Sequence, residues 1–275
     1  MTLGPWITAE DKAAVMAVLD SGDLMSGKQV ALFEEELAAY FGKRHAVCVS
    51  SGTAALECAF VATGEGYQVR NDGYIAILSA ARAAGHDPEV LTDGRGVGTD
   101  VLGERYEVLT KVHDCSHNFI SGGARARLSC FSLNQNKVIG CVGGVVVTDD
   151  SVAAARMRQY RNHGRDGGPE IFSYGRNLRM TEMSAALGRS QLKRIDEIIG
   201  RRVLVAAMYR RLVGDQATGD GLFLYAVKHD KPVVGRRTLC DFRLNKIWAG
   251  VDDCTELMPV WPMMTMADCE EACRL

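Results

Sequence analysis

Between Cys130 and Val147 the chain reads C-F-S-L-N-Q-N-K-V-I-G-C-V-G-G-V-V-V, two apolar runs separated by a polar turn with a single lysine. Leu128–Leu133 is apolar enough for a central strand, Asn134–Asn136 break it, and the valine-rich run Gly143–Thr148 opens a second strand. Lys137 is therefore held between two strands and followed by Val138, Ile139, Cys141 and Val142. Partial withdrawal from water disfavours its ammonium and leaves a nucleophilic amine, the reagent of a Schiff base. A solvated turn lysine has the same local sequence, so this stretch alone leaves both readings open.

With 275 residues, 47% hydrophobic and 24% charged, the chain can bury a large core as one domain or as a large and a small one. A net charge of −2 gives no global reason to expect nucleic acid or an anionic membrane as partner, so any anion site must be built locally. No apolar run is long enough to span a bilayer, and M-T-L-G-P-W-I-T-A-E-D lacks a basic region followed by an apolar one. The expectation is a soluble, cytoplasmic protein. Nine cysteines without a C-x-x-C pair read as reduced, mostly buried thiols. Cys269 and Cys273 have no second ligand pair beside them, and no metal is expected there.

In chain order, Thr8–Ser21 reads as a helix capped by Thr8, and Val30–Tyr40 as an amphipathic helix ending at Gly42. His45–Ser50 is a short strand running into a helix that begins near Thr53. A strand, then Ser51-Gly52-Thr53, then a helix start gathers free N–H groups and two hydroxyls around one point, which suits a phosphate but is also ordinary capping. Tyr74–Ala84 reads as a helix, Glu89–Thr92 as a strand, and Tyr106–Val112 as a strand leading into H-D-C-S-H-N-F. At the carboxyl end of such a strand Asp114 and His117 are placed to meet Lys137 and Ser51–Thr53. His113 and His117 are four apart, but that spacing co-orients metal ligands only on a helix. A helix is expected from Asp150 to Tyr160, then a segment holding Arg161, Arg165, Arg176 and Arg179, then one long helix from Thr181 to Leu212. The four arginines either solvate a loop or line a site for a phosphorylated substrate. Leu222–Val227, Arg237–Phe242 and Arg243–Trp248 are candidate strands, and Thr265–Arg274 a closing helix.

In this order the segments S-G-D-L-M-S-G-K-Q-V-A-L-F-E-E-E-L-A-A-Y-F-G, H-A-V-C-V-S-S-G-T-A-A-L, H-D-C-S-H, the lysine stretch, R-N-H-G-R-D and G-R-N-L-R-M-T-E-M-S-A-A-L-G make the chain resemble the DegT/StrS-type nucleotide-sugar aminotransferases from about Pro5 to Leu212. The resemblance implies an α/β fold of the type I class dependent on pyridoxal 5'-phosphate (PLP), with a mostly parallel sheet flanked by helices. It implies a PLP-binding large domain over 1–212 and a reduced C-terminal α+β part over 213–275. Lys137 matches the lysine that forms the Schiff base and moves protons, and Asp114 the carboxylate paired with the pyridine nitrogen. His117 is similar to the neighbour of the cofactor ring. Ser51, Gly52, Thr53 and Ser132 resemble a phosphate cradle, and Tyr74 a stacking aromatic. Asn177 resembles an asparagine that reaches the partner's cofactor, which implies a homodimer with shared active sites.

The implied reaction takes an amino group, from glutamate, through pyridoxamine 5'-phosphate to a keto group on a nucleotide-linked sugar. Two other readings remain beside it. A PLP-dependent sugar dehydratase of the same family carries histidine where this chain has Lys137. A compact PLP-binding protein without transaminase turnover, acting as a regulator or partner, would suit the departures from the family. The link Asp93–Gly103 is shorter than in relatives, the loop after Lys137 lacks an acidic residue where Val142 stands, and the C-terminal part is cut down.

Overall fold

The computed structural model describes residues 4–25, 27–70, 74–91, 111–213, 217–218, 224–228, 255–259 and 263–274. Helix α1, Ala9–Ser21, opens with a reciprocal cap: the Thr8 N–H donates to Asp11 Oδ2 at 2.9 Å and the Asp11 N–H to Thr8 Oγ1 at 3.4 Å. Helix α2, Lys28–Phe41, ends at Gly42 with φ 63°, a left-handed conformation suited to glycine. Strand β1, His45–Val49, then leads through the N-cap Ser51 into α3, Gly52–Thr63.

Strand β2, Gln68–Arg70, helix α4, Ile75–Ala83, and strand β3, Glu89–Leu91, follow, with β2 and β3 parallel. The strand expected over Tyr106–Val112 lies mostly outside the described residues; its described part is β4, Val112–Asp114, which carries the strand two residues further and includes Asp114. Strands β5, Leu128–Ser132, and β6, Gly144–Thr148, bracket the Lys137 turn, and α5, Ser151–Tyr160, starts from its cap Asp150. The main sheet has the order β1-β6-β5-β4. Strands β4 and β5 are parallel, and β6 runs antiparallel to both β1 and β5, so three of these four strands point the same way.

Alternation along the strands divides the core between two faces. Val47, Val49, Leu128, Cys130 and Val146 face α3, α4 and α5, whereas Ala46, Cys48, Phe131, Val145 and Val147 face Phe33, Leu37 and Phe41 of α2. Both faces are buried, which gives helix, sheet and helix layers. The long helix expected from Thr181 to Leu212 is two, α6, Glu182–Leu192, and α7, Ile195–Val213. At the elbow the Arg194 N–H bonds the Gln191 carbonyl three residues back, while the Arg194 guanidinium turns to the Trp6 carbonyl at 2.7 Å and to Asp11 at 2.5 Å. That tertiary anchor breaks a run containing no proline.

Beyond α7 the described residues form an antiparallel sheet of β7, Ala217–Thr218, β8, Leu224–Lys228, and β9, Thr255–Pro259, and helix α8, Met266–Arg274. Strand β8 falls within the expected Leu222–Val227 strand apart from Lys228, β9 carries no sequence expectation, and the candidate strands over Arg237–Trp248 lie outside the described residues. No helix among the described residues is long and apolar enough to cross a membrane.

Candidate active site

The carboxyl ends of β1, β4 and β5 converge on one region. Ser51 has an extended backbone, and its Oγ accepts from the Ala54 N–H at 3.1 Å, so it caps α3 as the sequence suggests. A Cβ on Gly52 would lie 2.7 Å from Ser132 Cβ, and one on Gly144 would strike the Ser51 carbonyl. Glycine at these two positions lets the α3 start close against the end of β5 and the beginning of β6. Ser51, Gly52 and Ser132 thus lie close together, with Thr53 in the first turn, at the positive end of a twelve-residue helix.

Asp114 ends β4 opposite Cys130 of β5 and is 2% exposed; its Oδ1 accepts from the Ser116 N–H at 3.0 Å. His117 follows in the turn and is half-buried. Since His113 lies in β4 and His117 in this turn, their spacing is not helical, and no cluster of three or more potential metal ligands occurs among the described residues. Tyr74 caps the start of α4, with 42% of its surface exposed.

Lys137 sits in the turn after β5, its N–H donating to the Asn134 carbonyl at 2.8 Å, and is only 9% exposed. Burial pushes its pKa down from 10.5 to about 7; Asp114 pulls it up and Arg202 adds to the lowering. A lysine buried in this way has its ammonium disfavoured and its amine made more available. The buried reading, one of two open in the sequence, is the one the fold adopts.

Asn177 lies on a strap running beside β1: the Ser50 N–H donates to the Leu178 carbonyl at 2.9 Å, and Arg179 bridges to Val49. Asn177 itself is exposed, and its Oδ1 accepts from Arg179 Nε at 2.9 Å. The arginines divide. Arg161 pairs with Glu34 and the Cys48 carbonyl, and Arg176 with Glu57 at 2.9 Å, so these two serve the architecture. Arg165 and Arg179 stay as candidates for an anionic ligand.

Two features lay beyond sequence reasoning. Glu182 caps a helix 155 residues away, accepting from the N–H groups of Gly27 at 2.8 Å, Gln29 at 2.6 Å and Val30 at 2.9 Å. Val142, directly before the paired glycines, has φ 61°, a left-handed backbone that costs a β-branched residue strain.

The model of the DegT/DnrJ/EryC1/StrS aminotransferase family matches residues 5–91 and 109–231. The chain belongs to this family. It is 32% identical over 260 residues to the UDP-4-amino-4,6-dideoxy-N-acetyl-beta-L-altrosamine transaminase of Helicobacter pylori, covering 77% of this chain and 69% of the relative. It is 31% identical over 246 residues to the dTDP-3-amino-3,4,6-trideoxy-alpha-D-glucose transaminase of Streptomyces venezuelae, covering 74% and 65%. Among solved structures, Helicobacter pylori PseC, an aminotransferase involved in the biosynthesis of pseudoaminic acid, aligns with a TM-score of 0.80 at 22% identity, over 98% of this chain and 96% of that one. Streptomyces venezuelae DesV in complex with a ketimine intermediate aligns at 0.80 and 24%, over 97% and 94%. These likenesses show that the chain has the fold of those two proteins. The family's cofactor fits the residues present: a glycine-lined cradle at a helix start for its phosphate, a buried carboxylate for its ring nitrogen, and a buried lysine with a lowered pKa for its aldehyde.

Proposed function

We propose that this chain transfers an amino group from an amino-acid donor, glutamate, to the keto group of a nucleotide-linked sugar, with Lys137 as its covalent and proton-transferring residue. The observation that carries the reading is the buried Lys137 beside the buried Asp114, at the same carboxyl end of the parallel-running strands as Ser51–Thr53. When bound, PLP supplies an aldehyde that accepts the amino group and a ring that takes up electron density. Ser51, Gly52, Thr53 and Ser132 hold its phosphate with backbone N–H groups and hydroxyls. Asp114 would keep a proton on the pyridine nitrogen, and His117 and Tyr74 would be the side chains that hold the ring. Lys137 would hold the cofactor's aldehyde through its amine and, once that amine is free, would serve as the acid/base that takes a proton from the donor's α-carbon and returns it on the cofactor side.

Residues 1–212 carry this chemistry and 213–275 form the smaller part, in a protein of the cytoplasm. A second copy of the chain completes the site: Ile171, Phe172 and Tyr174, exposed at 65%, 55% and 100%, offer an apolar surface on the loop that leads to Asn177. Light scattering on the full chain is expected to give a dimer.

The experiment is a spectrum of the PLP-loaded protein before and after glutamate, followed by incubation with nucleotide-linked 4-keto and 3-keto sugars. Conversion of the cofactor's visible band by glutamate, and its return with an aminated sugar, is the expected result. A bound cofactor that ignores glutamate and every other amino acid would overturn transamination and leave the compact PLP-binding reading.

A further inference from the structure

Helix α3, whose start offers the phosphate cradle, carries a buried carboxylate on its flank. Glu57 is 5% exposed and sits in a run of buried residues, Ala54, Ala55, Leu56, Cys58 and Ala59. Its Oε1 accepts from the Tyr160 hydroxyl at 2.8 Å and from Arg176 Nη1 at 2.9 Å. Those donors stand on the two limbs of one neck. The Arg176 N–H donates to the Tyr160 carbonyl at 2.7 Å, the His163 N–H to the Arg176 carbonyl at 3.1 Å and the Leu178 N–H to the Arg161 carbonyl at 2.9 Å. Asn162 and Asn177 form an antiparallel bridge within it. His163 and Gly164, with φ 59° and 79°, turn the chain out of the neck. A Cβ on Gly164 would strike the Ser173 carbonyl, and one on Gly175 the Gly164 nitrogen, so the limbs touch backbone to backbone.

These main-chain bonds fix the limbs to each other, and side chains must fix the neck to the body. Glu34 holds the first limb through Arg161 and the Ser50 N–H holds the second through the Leu178 carbonyl, whereas Glu57 holds both. Burial, reinforced by the Glu57 carboxylate, pushes the Tyr160 pKa up, which keeps the phenol protonated as a donor. An apolar side chain would pack this flank of α3 without withdrawing a carboxylate from water, so the charge points to placement rather than to stability. Asn177 follows Arg176 in an extended stretch, which turns its side chain the other way, where it is exposed and bonds Arg179. We propose that Glu57 is a positioning residue for Asn177: it clamps both limbs of the neck to the cradle helix and so sets where Asn177 meets the cofactor of a second copy of the chain. The proposal rests on the reading of Asn177 as a residue that completes the partner's site.

The test measures PLP dissociation constants of the full-length chain by fluorescence titration, at concentrations where light scattering shows the dimer. Glu57→Leu removes the clamp, Arg176→Ala releases the second limb at a side chain 53% exposed, and Glu57→Gln keeps an acceptor oxygen without the charge. Asn177→Ala is expected to weaken PLP binding about tenfold, the loss of one hydrogen bond to a charged group. Glu57→Leu and Arg176→Ala are expected to weaken it several-fold, with Glu57→Gln retaining most of the affinity. In the Asn177→Ala background none of the three is expected to add to the loss, because they act through that residue. A clamp that merely stabilised the fold would weaken binding equally in both backgrounds. That result, or unchanged affinity in Glu57→Leu and Arg176→Ala, overturns the proposal. Should Glu57→Leu not fold, Arg176→Ala in the two backgrounds decides alone. A monomeric wild type, or PLP affinity untouched by Asn177→Ala, sinks the cross-subunit reading and the proposal with it. A loss in Asn177→Ala with unmoved clamp variants sinks only the role of Glu57.

Discussion

Two buried ionisable groups in this protein, Glu34 and Lys137, meet burial in different ways. Around Glu34, a carboxylate with an 11% exposed side chain meets Arg161 and Arg158 and accepts the Cys48 N–H at 2.8 Å, tying α2 to β1 and α5. Around Lys137 burial is the main influence, pushing its pKa down to about 7 against the opposing pull of Asp114. Hydrogen-bonded, paired charge fixes architecture, whereas an amine withdrawn from water has its ammonium disfavoured, as a nucleophile requires.

The contrast is broken most severely at Glu34. Glu34→Ala leaves Arg161 largely buried without its carboxylate and the Cys48 N–H without its acceptor, and is expected to cost about 3–5 kcal/mol in urea unfolding; a loss below about 1 kcal/mol would show that the pair is merely superficial. At Lys137 the sign is reversed. Its folded pKa lies below the unfolded value, so between about pH 7 and 10.5 the unfolded chain binds more protons and stability rises with pH. Lys137→Met removes that penalty: in the cofactor-free protein it is expected to gain roughly 2–3 kcal/mol at pH 6, a gain fading toward pH 10. Equal stability of the two proteins at every pH would mean that the lysine is solvated.

Smaller effects sharpen the comparison. Glu182→Ala strips three N–H groups at the start of α2 of their acceptor and is expected to cost about 1–2 kcal/mol, with Glu182→Gln in between. Val142→Asn relieves a left-handed backbone at an exposed position and is expected to add about 0.5–1 kcal/mol to thermal stability. Loss of glutamate turnover in this variant, with cofactor binding intact, would mark the strain as part of the site.

Local signals carried most of the large layer into the sequence. Thr8, Gly42, Ser51 and Asp150 mark helix ends by cap chemistry, and the valine run at β6 marks a strand buried on both faces. The candidate site residues stand out by the same signals, because Ser51–Thr53 and Lys137 come after strand ends and Asp114 closes β4. What stayed hidden depends on distant partners. The break between α6 and α7 is drawn by Asp11 and Trp6, the α2 start is capped by Glu182, and Arg202 is one of several arginines in its helix until the fold sets it under Lys137. Strand β2, three residues long, is too short for its period to stand out.

The most direct test of the central claim is to reduce the PLP-loaded full-length protein with borohydride and map the modified peptide. The account predicts a single phosphopyridoxyl group on Lys137, lost in Lys137→Met. Label spread over exposed lysines such as Lys12 and Lys28, or a persistent specific label in Lys137→Met, would contradict it.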